Sequence, residues 1–195
     1  MLYRFLRFIV LIFYKCIIRI EVIGAENIPK TGGVILSGNH RSNHDPILLA
    51  VSQKRSLAFM AKESVIKIPI IGPILRAAGV FPVKRGIGDI GAVKKAIEVL
   101  KNGYMLSLFP EGTRNKTGEI LAPFQSGAAL IACKSESVIV TVGIISKDYR
   151  LFSKVTVIYN KPIDPKNYGE KPDIKAITND LREIILHNLE GRNEG

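Results

Sequence analysis

Cysteine is scarce in this chain: Cys16 and Cys133 are the only two in 195 residues. Neither belongs to a motif or stands at a metal-ligand spacing, so no disulfide scaffold and no metal site is expected. Both fall in apolar helical stretches and read as reduced, buried thiols of a cytosol-facing protein. Tryptophan is absent, and the aromatic residues are six tyrosines and eight phenylalanines. With no recognisable nucleic-acid module either, that scarcity argues against a nucleic-acid partner. Acidic residues are outnumbered, 17 against 28 basic ones, for a net charge of +11. Such a balance favours anionic surfaces. Long apolar runs are missing: the longest charge-free stretch near the N-terminus, residues 8–14, is too short to span a bilayer. No small-residue cleavage site follows it, which argues against a signal peptide. No Gly-x-Ser-x-Gly elbow signposts a nucleophile. Linkers, repeats and low-complexity stretches are absent too, and the length suits one compact core.

What is present alternates. Short apolar runs bounded by turn residues predict strands over 18–23, 34–37, 57–61, 80–83, 104–109, 138–144 and 155–159. Between them, helices are predicted over 46–52, 71–78, 90–101, 125–134 and 174–189. The alternation implies an α/β fold: a single-domain sandwich with a mostly parallel central sheet flanked by helices, and antiparallel strands at one side. Residues 1–19 read as a separate amphipathic segment ahead of a domain over 20–195. Arg4, Arg7, Lys15 and Arg19 break its apolar sequence, and at about 100° per residue they fall within about a third of the helix circumference. A broad apolar face remains, the pattern of a helix lying in a membrane interface. The same pattern suits a helix packed on the core.

Two blocks carry the chemistry. In Asn39-His40-Arg41-Ser42-Asn43-His44-Asp45-Pro46, a histidine and a carboxylate share one turn after an apolar strand. Imidazole titrates near neutrality and can take a hydroxyl proton, while a carboxylate fixes its tautomer. Asp45 with Pro46 also reads as a helix N-cap, and one oxygen could cap while the other orients His40. His44 reads as a surface turn residue, and His187 as a solvated residue of the last helix. In Phe109-Pro110-Glu111-Gly112-Thr113-Arg114, proline ends a strand, Gly112 permits close backbone approach and Arg114 offers a fork for phosphate oxygens. Glu111 could hold that arginine or accept from a substrate hydroxyl. In a parallel sheet both blocks would meet at the carboxyl edge.

In these blocks the chain resembles the glycerolipid acyltransferases, above all the bacterial 1-acylglycerol-3-phosphate acyltransferases. The family's first block, Asn-His-x4-Asp, matches Asn39, His40 and Asp45; its third matches residues 109–114 without substitution. Gly79-Val80-Phe81-Pro82-Val83-Lys84-Arg85 is similar to the second block, and residues 138–144 to the fourth. Further similarity lies in Phe59-Met60-Ala61-Lys62-Glu63 and Ile68-Pro69-Ile70-Ile71-Gly72. Thr141 stands where proline is common, and Lys84 where an acidic or polar residue often precedes the arginine.

The resemblance implies catalysis by His40 and Asp45, with Arg85, Glu111, Gly112, Thr113 and Arg114 binding substrate. It implies acyl transfer from acyl-CoA or acyl carrier protein to a membrane lipid acceptor, lysophosphatidic acid, to give phosphatidic acid in phospholipid biosynthesis. No metal and no cofactor is called for. Backbone amides near His40 are the candidates for an oxyanion hole. The place of action would be the cytoplasmic face of the cell membrane, peripheral or monotopic. Another lysophospholipid or glycerol-3-phosphate is an alternative acceptor.

Gly86-Ile87-Gly88-Asp89-Ile90-Gly91 also satisfies Gly-x-Gly-x-x-Gly, after a strand and before a helix, which would suit an NAD-binding oxidoreductase. Asp89 reads equally as the N-cap of that helix. A non-catalytic membrane-surface module is a third reading, and it would not require His40.

Overall fold

The computed structural model describes residues 12, 14, 18–69, 71–77, 79–83, 89–146 and 152–191. Seven strands form one sheet: β1 (Arg19–Ile23), β2 (Val34–Gly38), β3 (Leu57–Lys62), β4 (Val80–Val83), β5 (Met105–Leu108), β6 (Val138–Ser146) and β7 (Lys154–Tyr159). Their order is β1-β7-β6-β2-β5-β3-β4. All neighbours are parallel except β6 and β7, which pair as an antiparallel hairpin. Every expected strand is present, and the reversed pair lies at one side of the sheet as the alternation implied.

Among the described residues six α-helices accompany the sheet: α1 (Asp45–Val51), α2 (Glu63–Ile66), α3 (Ile71–Ala77), α4 (Ile90–Lys101), α5 (Gly127–Ser135) and α6 (Ile174–Glu190). Helix α2 is unforeseen, since a single turn is too short to show a period of 3.6 residues. Helix α5 begins two residues later than expected, at Gly127.

All five residues of β2 are buried, so its side chains alternate between two covered faces. Ile35 faces one core with Leu106 and Ile139, packed under Ala96 and Leu100 of α4, Ala129 and Ala132 of α5, and Ile177 and Leu181 of α6. Val34 and Leu36 face the other, with Met105, Val140 and Val142 under Leu48 and Leu49 of α1. Tyr14 and Ile18 join that second core. The Ile18 amide, just ahead of β1, donates to the Tyr14 carbonyl at 2.7 Å. Apart from Ile12 and Tyr14, the amphipathic segment over 1–19 lies outside the described residues up to Ile18, as does Cys16. Among the described residues, no helix is long and apolar enough to cross a membrane.

The hairpin fixes one further point of layout. Ser146 at the end of β6 opposes Val155 at the start of β7, and Lys154 opposes Arg19 at the start of β1. The chain therefore enters β1 at the edge where β2 and β6 end. Segments from both directions meet there.

Candidate active site

Strands β2 and β5 are neighbours, with Ser37 opposite Leu108 near their carboxyl ends. The chain leaves both at the same edge, so the two sequence blocks emerge side by side. Asn39 anchors the first. Its Oδ1 accepts from the Ile144 amide at 2.7 Å and its Nδ2 donates to the Ile144 carbonyl at 2.9 Å, which extends the β2–β6 pairing through a side chain.

His40 follows, buried, with Nδ1 3.0 Å from Asp45 Oδ2. That one oxygen also accepts the amides of Arg41 at 2.8 Å and Ser42 at 2.7 Å. The expected cap is corrected here. Helix α1 starts at Asp45 itself, its N-cap residue is His44, and His44 makes no side-chain capping bond. The Asp45 oxygen that orients His40 turns back to close the preceding loop instead. Pro46 still opens the helix, since its missing N–H is one that no intrahelical carbonyl would use.

A neutral imidazole that donates Nδ1–H to a carboxylate presents Nε2 as a base. Among the described residues nothing in the protein bonds to that nitrogen. Phe109 stacks on the ring with centroids 4.1 Å apart and planes 22° from parallel, and covers one of its faces.

Glu111 serves a different part from the one its sequence suggested. It is buried, and both oxygens accept backbone amides: Oε1 that of His40 at 2.6 Å, and Oε2 that of Ala122 at 3.0 Å. Burial pushes its carboxyl above the ordinary range, while the two amides and the charge of His40 pull the other way. Glu111 thus ties the histidine block to the long loop after β5. The Asn115 amide adds a bond to the His40 carbonyl at 2.7 Å, and the Gln125 amide another to Pro110 at 2.8 Å. Gly112 sits at φ 70, where a Cβ would meet the Gln125 side chain at 2.5 Å. Thr113 is exposed and Arg114 half-buried. Arg114 directly precedes the amide that holds His40, and among the described residues its guanidinium has no hydrogen-bond or ion-pair partner.

The amides nearest His40 are already engaged: its own by Glu111, those of Arg41 and Ser42 by Asp45. They are therefore not an oxyanion hole. His44 is half-buried rather than a surface residue, because Tyr14 covers it, with the hydroxyl 2.7 Å from Nδ1. His187 is exposed as expected. Arg85 and the glycines at 86 and 88 lie outside the described residues. Asp89 caps α4 by accepting from the Ala92 amide at 3.0 Å.

Residues 19–145 match the model of the family described as Acyltransferase. The chain belongs to that family. A 1-acyl-sn-glycerol-3-phosphate acyltransferase of Borreliella burgdorferi is 37% identical over 127 residues, which cover 64% of this chain and 50% of the relative. A chloroplastic enzyme of the same name from Arabidopsis thaliana is 33% identical over 91% of this chain and 50% of its own length. The chain thus spans about half the length of these relatives. The Bacillus subtilis 1-acyl-sn-glycerol-3-phosphate acyltransferase is 27% identical, covering 85% of this chain and 86% of its own. Among solved structures, the 1-acyl-sn-glycerophosphate acyltransferase of Thermotoga maritima superposes with a TM-score of 0.79 at 27% identity. That match covers 97% of this chain and 80% of the other.

Within this acyltransferase domain the sequence left several positioning residues unnoticed. Phe109 and Asn39 lie inside the two blocks, but nothing in the spacing tells that one stacks on the imidazole and the other binds β6. Tyr14 and Ala122 are distant in sequence and meet the site only through folding.

Proposed function

We propose that the chain acylates the free hydroxyl of 1-acylglycerol-3-phosphate from an acyl thioester, giving phosphatidic acid. The observation that carries this reading is the His40–Asp45 pair, whose Nε2 has no bond to the described residues, together with Arg114, which has no hydrogen-bond or ion-pair partner among the described residues and directly precedes the amide that holds His40. The names of the relatives support the acceptor. His40 Nε2 takes the proton of the acceptor hydroxyl while Asp45 stabilises the imidazolium. The oxygen attacks the thioester carbonyl, the carbon–sulfur bond breaks from the tetrahedral intermediate, and the thiolate takes its proton from the imidazolium. A thiol of pKa about 8.5 is a good enough leaving group for that collapse. Arg114, with Arg85, would bind the phosphate of the acceptor. Gly112 and Thr113 would shape its approach, and Glu111 holds the frame. The donor is acyl-CoA or acyl carrier protein, and the basic surface suits either. The acceptor is a membrane lipid, and the amphipathic N-terminal segment suits work at the cytoplasmic face of the membrane.

Thiol release tests the reading. Parent protein, His40→Ala and Arg114→Ala are each given lysophosphatidic acid with either donor. His40→Ala is expected to lose activity by about 10²–10⁴-fold or more, the usual worth of a general base. Arg114→Ala should mainly raise KM for the acceptor. Thiol release that does not need acceptor would mark a thioesterase instead. Release only with glycerol-3-phosphate or another lysophospholipid would move the acceptor assignment.

A further inference from the structure

Arg114 lies in a short stretch that is held to His40 from both sides. On one side Glu111 Oε1 accepts the His40 amide at 2.6 Å. On the other the Asn115 amide donates to the His40 carbonyl at 2.7 Å. Gly112, Thr113 and Arg114 span the interval between these two grips, so a closed ring of chain and hydrogen bonds joins the base to the arginine. The two grips are built differently. The first belongs to a side chain whose other oxygen is braced by the Ala122 amide at 3.0 Å. The second is a backbone amide, and its direction depends on what holds residue 115.

Asn115 is held by its own side chain. It is 9% exposed and turned forward into the loop. Oδ1 accepts from the Thr117 amide at 3.1 Å and from the Thr117 hydroxyl at 2.8 Å, and Nδ2 donates to the Glu119 carbonyl at 3.0 Å. The Glu119 amide closes the turn on Thr117 Oγ1 at 3.3 Å. Gly118 bends the chain at φ 88, where a side chain would be strained. A carboxamide suits this place because it accepts and donates at once. Aspartate would set a second acceptor against the Glu119 carbonyl, and a hydroxyl offers one atom where two are used. The effect on the site runs backward from this turn, through the Asn115 amide to His40 and through the peptide bond to Arg114.

We propose that Asn115 is a positioning residue for the acceptor: by fixing Arg114 against His40, it sets the spacing between phosphate and hydroxyl that the site accepts. This rests on Arg114 binding that phosphate. A phosphate clamped at a fixed distance from His40 Nε2 presents the hydroxyl of the neighbouring glycerol carbon to the base. One more methylene between the two groups carries the hydroxyl past it. Loosening the turn lets Arg114 follow either molecule, which lowers catalysis at the natural spacing and erases the preference.

The test follows thiol release by the full chain with two acceptors, 1-acylglycerol-3-phosphate and a homologue with one methylene more between hydroxyl and phosphate. A displacement of about 1 Å can cost about 10²-fold in rate. Asn115→Ala should accordingly lower kcat/KM for the natural acceptor by about tenfold or more, chiefly through KM, with the donor's KM at the parent value. The parent's preference for the shorter acceptor, read as the ratio of kcat/KM, should shrink toward unity. In an Arg114→Ala background the same substitution should add less than about twofold, because its route to the phosphate is gone. Thr117→Ala, at an exposed position, removes two bonds of the turn and should show the same pattern at smaller size, so the test survives poor folding of Asn115→Ala. Parent-like acceptor kinetics in both variants would overturn the assignment, as would a parent with no preference between the acceptors. A full further loss in the Arg114→Ala background, or a parallel rise in the donor's KM, would also overturn it, since a merely structural turn behaves so. In each of these cases the parent still acylates the acceptor, and the reading of the reaction stands. A parent that turns over neither acceptor would overturn that reading and this inference with it.

Discussion

Asp45 Oδ2 takes hydrogen bonds from a ring nitrogen and two amides, so the carboxylate holds both the imidazole and the loop around it. Its substitutions should therefore separate two effects. Asp45→Asn keeps an acceptor for the amides and should lose mostly activity. Asp45→Ala strands buried amides and should cost a further roughly 1–3 kcal/mol of stability, read by denaturant unfolding of both variants. Equal stabilities would mean that the loop does not depend on those bonds. Glu111 carries a pH signature. Its folded carboxyl lies above the ordinary value of 4.5, chiefly through burial. The protein therefore binds the proton more tightly than the unfolded chain does. Its contribution to stability is fully present below the ordinary value and declines as pH rises through the raised one. The stability of the parent minus that of Glu111→Gln should fall over that interval. A pH-independent difference would remove the burial effect.

At the scale of elements, the site is held by bonds between strand ends rather than within any one strand. Asn39 is the clearest case: it is 1% exposed and donates to and accepts from Ile144 of β6. Asn39→Asp keeps the acceptor and turns the donor into a second oxygen facing a carbonyl. That change should destabilise by about 1–3 kcal/mol and lower turnover as well, because His40 is the next residue. Thermal unfolding together with kcat checks it, and a stable variant of normal activity would show that the clasp is dispensable. The loop after β5 is placed by Glu111 and Asn115 in the same way. Its length is explained by this duty: it crosses from β5 to α5 while wrapping the histidine block.

For the whole molecule, the excess of basic residues sets the expected response to anionic surfaces. A net charge of +11 draws the chain to anionic surfaces. That attraction is screened as the Debye length falls from about 10 Å at 0.1 M salt to about 3 Å at 1 M. Binding to phosphatidylglycerol vesicles should weaken steeply over this range and then level off at a residue carried by apolar insertion. Vesicles of phosphatidylcholine alone should show little salt dependence. Identical salt profiles on the two would mean that charge plays no part in the attachment.

The sequence by itself determined the seven strands and every helix of the described residues but the single-turn α2, because alternation of short apolar runs and 3.6-residue patterns survives in one dimension. It pointed to the reversed strands at one side, and to the family through two short blocks, since the residue types of a proton-transfer pair and an anion site are written in the chain. Tertiary structure alone decided how those residues are used. The cap expected of Asp45 became a three-bond clasp on the preceding loop, and Glu111 became a brace. The amides near His40 were claimed by carboxylates, and His44 was covered by Tyr14. The Asp45 clasp is local, within five residues, but the Glu111 brace and the Tyr14 cover join groups far apart in sequence, and at a buried edge backbone amides must find acceptors. Periodicity carries no record of which acceptor that is.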